Sequence, residues 1–187
     1  MKHSEIRQQI VSTASQLFYS NGYNLTGINE IIDKAGIAKA TLYNHFASKE
    51  DICLAYLQHK NNTFRTDIAA FCKSKTAGRD QILALFDYLL SFFGENDFNG
   101  CWCIKTVSEI PKDNEKIRAE IKTQKESLIT FISSLVAENL PHMEESESLA
   151  LSRKIYLLYE SAVAESHLHQ SDWPIREMKS LCTQIIA

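Results

Sequence analysis

The residues best suited to chemistry lie in one short stretch, residues 26–46, which reads Thr-Gly-Ile-Asn-Glu-Ile-Ile-Asp-Lys-Ala-Gly-Ile-Ala-Lys-Ala-Thr-Leu-Tyr-Asn-His-Phe. If Ile37, Leu42 and Phe46 point into a core, then Lys39, Ala40, Thr41, Tyr43, Asn44 and His45 are left facing outward. That outward set suits the edge of a DNA duplex. A lysine donates to guanine edges or to phosphate, an asparagine pairs with adenine, threonine and tyrosine hydroxyls reach phosphate, and a small alanine meets a thymine methyl. Spacing alone fits an ordinary helical hairpin, its polar face meeting only water, about as well.

A second cluster is Gly100-Cys101-Trp102-Cys103. Cysteines at i and i+2 are too close for an easy disulfide with each other and fall on different sides of a helix. A thiol at a helix start, as Cys101 would be, is acidified and can sense oxidants or electrophiles. The plainer reading makes both small, half-buried hydrophobes. A metal site lacks a clear second ligand pair: His142, His167 and His169 are available, but 167 and 169 do not face each other on a helix. No Gly-rich phosphate loop, His-Glu-x-x-His, Gly-x-Ser-x-Gly or Cys-x-x-Cys is present. No catalytic residue, cofactor or metal is therefore expected, and a helical enzyme is the distant alternative.

The elements that must carry these residues are helices. Of 187 residues only six are Gly and three Pro, too few for the turns of a sandwich or barrel. These breakers divide the chain into about nine helix-length pieces. Ile6, Ile10, Ala14, Leu17 and Phe18 form one helical face, which Ser4 can cap and Asn21-Gly22 end. A short helix from about Thr26 buries Ile28, Ile31 and Ile32, with Gly27 in its first turn, where bare backbone can approach phosphate. Gly36 makes the turn into a third helix, and Ser48 caps a fourth that reaches about Cys72. Residues 95–100 read as loop, and Cys101–Ile110 as a sixth helix stopped by Pro111. Three long C-terminal helices follow, the last with Ile175, Met178, Leu181, Cys182 and Ile185 on one face.

Bulk properties bound the rest. The chain carries 20 basic and 23 acidic residues, net −3; residues 1–50 net +1 and the remainder −4. No apolar run approaches the length of a membrane span, and the start lacks the apolar stretch of a secretory signal. With five cysteines, an odd number, the expectation is reduced thiols in a cytoplasm.

From Ile6 to about residue 57 the chain resembles the DNA-binding domain of the tetracycline-repressor (TetR) family. The resemblance rests on Leu17-Phe18, Asn21-Gly22-Tyr23, Ala35-Gly36-Ile37, Thr41-Leu42-Tyr43-Asn44-His45-Phe46 and Ser48-Lys49-Glu50. It implies an all-α protein with an N-terminal three-helix domain containing a helix-turn-helix and a C-terminal helical regulatory and dimerisation domain. The division is 1–50 (extended to about 64 with the start of helix four) and 51–187. The implied activity is that of a homodimeric transcription factor, usually a repressor, released from a palindromic operator by a small molecule. Carried over residue by residue, Lys39, Ala40, Thr41, Asn44 and His45 face bases or nearby phosphates. Thr26, Tyr43 and Lys49 mostly grip the backbone.

The resemblance also implies an effector cavity among helices four to eight. Phe64, Phe86, Trp102, Ile121, Leu128, Tyr156 and Tyr159 are candidates for its wall, although aromatics also dominate ordinary cores. Small and apolar residues late in the chain, Tyr159, Ala162, Val163 and Ser166 with Met178, Leu181 and Ile185, can form a two-fold four-helix interface or pack within the chain. A thiol switch at Cys101 or Cys103 on the same DNA-binding head is the alternative to a ligand. The head departs from a strongly basic DNA reader by carrying only +1 over 50 residues. Its DNA affinity is expected to fall less steeply with salt, which a titration of affinity against salt concentration checks.

Overall fold

The computed structural model describes residues 3–95 and 98–186, and among these the chain forms nine helices and no strand. In order they are α1 (His3–Asn21), α2 (Ile28–Ala35), α3 (Lys39–His45), α4 (Lys49–Lys73), α5 (Arg79–Phe93), α6 (Trp102–Glu109), α7 (Glu115–Asn139), α8 (Glu145–His169) and α9 (Trp173–Ile185). Of the expected loop at 95–100, Asn96 and Asp97 lie outside the described residues.

Local chemistry explains several of the ends. Ser48 Oγ accepts the Asp51 N–H at 3.1 Å and donates to Asp51 Oδ2 at 2.8 Å, capping α4 as its sequence predicts. Asn114 Oδ1 does the same for α7, accepting the Ile117 N–H at 3.0 Å. Gly36 ends α2 in the left-handed region (φ 62°) and donates to the carbonyls of Asp33 and Ile32. Three starts differ from the periodicity. Ser4 lies inside the first turn of α1 rather than capping it, α2 begins at Ile28 after Gly27, and Cys101 precedes α6.

The chain divides into two compact units. The first comprises Met1–Thr63 and Trp102–Thr123, the second Phe64–Cys101 and Gln124–Ala187. The first thus takes in Trp102–Thr123, a stretch that lies within the expected second domain at 51–187.

In the first unit Ile10, Ala14, Leu17 and Phe18 of α1 are buried together with Ile31, Ile32, Leu42, Phe46, Ile52 and Tyr56. The Phe18 ring lies 5.5 Å from Tyr56 and 5.7 Å from Tyr23. Helix α6 is held by polar contacts. Lys105 Nζ donates to the carbonyls of Tyr19 and Ser20 at 2.8 and 3.1 Å, putting a cation on the open carbonyls at the end of α1. Glu109 Oε2 accepts the Asn24 N–H at 2.7 Å, and Asn24 Nδ2 donates to the Glu109 carbonyl at 2.9 Å. Glu50 at the start of α4 accepts from Asn114 Nδ2 at 2.8 Å and pairs with Lys116 at 3.1 Å.

The second unit is built around one hydrophobic cluster. Ile82, Leu85, Phe86 and Leu89 of α5 meet Ile132 and Val136 of α7, Ile155 and Tyr159 of α8, and Ile175 and Cys182 of α9. Helix α9 therefore does not present its apolar residues as one set. Ile175 and Cys182 are buried, Met178 is half-buried, and Leu181 and Ile185 are exposed.

Candidate nucleic-acid interface

The α2–α3 pair has the predicted helix-turn-helix layout. The turn is closed by the Ile37 N–H donating to the Ile32 carbonyl at 3.2 Å, and α3 starts as the Thr41 N–H reaches the Ala38 carbonyl at 2.9 Å. On the seven-residue α3, Leu42 is fully buried and Phe46 follows it into the core. Lys39 and Tyr43 form one exposed row at i and i+4, with Ala40 and Asn44 in the row beside it; Thr41 and His45 are half-buried.

Of the residues around α3, Gly27 is exposed with open space about its α-carbon, as a backbone phosphate contact needs. Lys49 is half-buried, with its ammonium 4.5 Å over the Tyr23 ring. Burial lowers the Lys49 pKa and raises that of the Tyr23 phenol. Thr26 is a correction. It is fully buried, and its Oγ1 donates to the Gly22 carbonyl at 2.8 Å, so the hydroxyl ties the α1–α2 turn and does not face a duplex.

Sequence spacing missed His3 and Arg7 of α1. The His3 ring centroid lies 4.0 Å from that of His45, and the Arg7 guanidinium sits 4.9 Å over the Phe46 ring. His45 Nδ1 is buried with no hydrogen-bond partner. Loss of solvation, then the like charges of His3 and Arg7, hold the His45 pKa below its ordinary value. The i, i+4 spacing of His3 and Arg7 was the available signal, but nothing in it indicates that they meet α3.

The cysteines separate clearly. Cys53, Cys72 and Cys182 are buried thiols pushed up to about 12 by loss of solvation, and Cys103 is buried too. Cys101 alone among the described cysteines keeps some exposure. Lys125 Nζ donates to its Sγ at 3.2 Å and to both Glu160 carboxylate oxygens, at 2.7 and 2.6 Å.

Of the expected cavity wall, Phe64, Phe86, Leu128, Tyr156 and Tyr159 belong to the second unit, Trp102 and Ile121 to the first. Phe86 and Tyr159 lie in the core with centroids 6.1 Å apart, and Phe64 stands 6.5 Å from Tyr159 and 5.9 Å from Tyr88. Burial raises the Tyr159 pKa well above its ordinary value.

The expected interface residues of α8 need correction. Ala162 and Ser166 are fully buried, and Tyr159 and Val163 nearly so, by packing within the unit, which leaves them little surface for a second chain. The exposed stripe of α8 lies on the opposite face of the helix. Leu157 and Leu168 stand outward with Ala164, and half-buried Ser161 lies between them.

Residues 10–56 match the family model of bacterial regulatory proteins, tetR family. Over its whole length the chain is 24% identical to the HTH-type transcriptional repressor NemR of Escherichia coli, covering 97% of that protein. It is 27% identical to the HTH-type transcriptional activator FasR of Mycolicibacterium smegmatis over 74% of this chain, a match spanning 62% of that relative's length. Two solved structures share the fold. A TetR-family transcriptional regulator from Streptomyces coelicolor superposes with a TM-score of 0.87 at 24% identity, over 98% of this chain and 95% of the other. The reduced form of E. coli NemR does so at 0.84 and 21% identity, over 97% and 98%.

Proposed function

The chain belongs to the tetR family of bacterial regulatory proteins, and from that premise we propose that it is a dimeric transcriptional regulator that binds a palindromic operator and leaves it when a small molecule binds. Its work is binding, in the cytoplasm, and it is not an enzyme. The observation that carries the reading is α3. This short helix is anchored by Leu42 and Phe46, and its exposed face has Lys39, Ala40, Tyr43 and Asn44 in two adjacent rows. A helix of that size enters a major groove, and side chains of those types meet base edges and phosphates. Thr41, His45, Lys49 and the open backbone at Gly27 flank it.

Reading a palindrome needs two heads about one turn of DNA apart. A second copy is accommodated by the outward residues of α8 and α9, Leu157, Ser161, Ala164 and Leu168 with Met178, Leu181 and Ile185. Small residues between apolar ones let two helices approach closely. The effector is an apolar or aromatic molecule held in the second unit near Phe64, Tyr156 and Tyr159. A differential affinity of about 1–3 kcal/mol between two conformers is enough to couple its binding to DNA release.

The test is a mobility shift on DNA upstream of the chain's own gene. Specific retardation reversed by a small molecule supports the reading; absence of sequence-specific retardation by pure dimer refutes it.

A second reading is favoured by one observation. Cys101, the partly exposed thiol, accepts a hydrogen bond from a lysine that is itself held by Glu160. A neighbouring ammonium stabilises thiolate, the reactive form. In this reading an electrophile or oxidant at Cys101 replaces the reversible ligand, and buried Cys103 has no part. Derepression that Cys101→Ser abolishes favours it, and an unaffected Cys101→Ser protein retires it.

A further inference from the structure

We infer that His3, Arg7 and His45 together form a binding site for a phosphate of the DNA backbone, and that occupying it takes up a proton. The inference rests on the reading of the chain as a DNA-binding protein and adds α1 to the surface that meets the duplex.

Three side chains able to carry positive charge converge from two elements. His45 closes α3, and the α1 groups facing it are His3, ring to ring at 4.0 Å, and Arg7, whose guanidinium covers the adjacent Phe46 ring at 4.9 Å. The charges that bear on His45 are those of His3 and Arg7, both of the same sign. Its own helix adds Lys39 at the other end and no acid. An imidazolium so placed is disfavoured while the site is empty, because it is partly desolvated and repelled by its neighbours. His45 Nδ1 is buried and unpaired, which leaves Nε2 as the nitrogen able to donate to an incoming oxygen.

A phosphate outweighs both effects. Its charge offsets the repulsion, its oxygens accept from an imidazolium and from the guanidinium fork, and such charge-assisted bonds are the strong ones. Exposed Lys39, Tyr43 and Asn44 stand on the same short helix, so a backbone phosphate beside a groove-seated α3 is the ligand that fits. The sign follows. Phosphate raises the histidine pKa in the complex above that in the free protein, so binding consumes a proton. Affinity is then greatest at acid pH and falls as pH rises through the histidine range, with at most a tenfold loss per pH unit for each proton taken up.

The experiment follows the His3 and His45 imidazole signals of the full chain by NMR from about pH 5 to 8, with and without a short duplex of arbitrary sequence. A parallel titration measures operator affinity against pH at constant ionic strength. With duplex present, the His45 midpoint should rise; in its absence, His3→Gln should also raise it by removing a like charge. In the affinity series, His3→Gln and Arg7→Gln should weaken binding severalfold at pH 6, flatten the pH dependence and leave the selected sequence unchanged. Imidazole midpoints that the duplex does not move overturn the inference, as does a His3→Gln protein with the affinity and pH slope of the parent. Midpoints that move in a protein with no sequence preference would retain the phosphate site and refute the operator reading instead.

Discussion

Asn44 and Tyr43 are neighbours on α3 and should separate by what they read. Asn44 is exposed in the row with Ala40, and an amide that pairs with a base edge contributes about 1–3 kcal/mol of discrimination. Asn44→Ala should therefore change the preferred base at one position per half-site. Tyr43→Phe removes only a phosphate-reaching hydroxyl and should weaken binding to all sequences about equally. Selection of binding sites from random DNA checks both, and identical selected sequences for Asn44→Ala and the parent would remove Asn44 from base reading. Thr26 behaves differently because its hydroxyl is already used inside the turn. Thr26→Val should cost about 1 kcal/mol of stability in a denaturant titration while the folded protein keeps its DNA affinity. Weaker binding at unchanged stability would return Thr26 to the duplex.

At the scale of elements, the head is tied to α6 through one turn. Gly22 (φ 92°) ends α1, and a Cβ there would lie 2.2 Å from Glu109 Oε1, the carboxylate that receives the Asn24 N–H. Gly36 (φ 62°) has open space around it, so a side chain there meets only backbone strain. Gly36→Ala should cost about 1–2 kcal/mol, the ordinary penalty of the left-handed region. Gly22→Ala should cost clearly more, because it adds displacement of Glu109 to the same strain. Thermal or denaturant melts of the two variants rank them, and equal losses would show that Glu109 yields freely. Lys105 on α6 reinforces the tie by covering the last carbonyls of α1, so the α1–α2 turn is held from outside the helices that the sequence motif covers.

For the whole molecule, reading a palindromic operator needs a second copy. Leu157 and Leu168 are 64% and 72% exposed, well beyond what the buried Tyr159 and Ala162 offer a partner. Leu157→Asp should shift the sedimenting species from dimer to monomer and abolish specific DNA binding, since one head reads only half a palindrome. Tyr159→Phe removes no outward surface and should leave the mass unchanged. A Leu157→Asp protein that remains dimeric would move the interface off this stripe of α8.

Patterning along the chain sets the helices, nine of them among the described residues, and the recognition turn. Those features follow from local chemistry: the 3.6-residue spacing of Ile10, Ala14 and Leu17, the cap at Ser48, the left-handed carbonyl closure at Gly36. It also determined the outward row of α3, because burying Leu42 and Phe46 leaves Lys39, Tyr43 and Asn44 no other direction. Packing between elements settles what periodicity leaves degenerate. Small and apolar residues recur on opposite faces of α8, and packing within the unit took Ala162 and Ser166, leaving Leu157, Ala164 and Leu168 outside. It turned Thr26 inward, gave Cys101 a lysine 24 residues away, and brought His3 against His45. Such contacts join residues far apart in the chain. Their energies depend on where whole elements come to rest, and no spacing along a single helix encodes that.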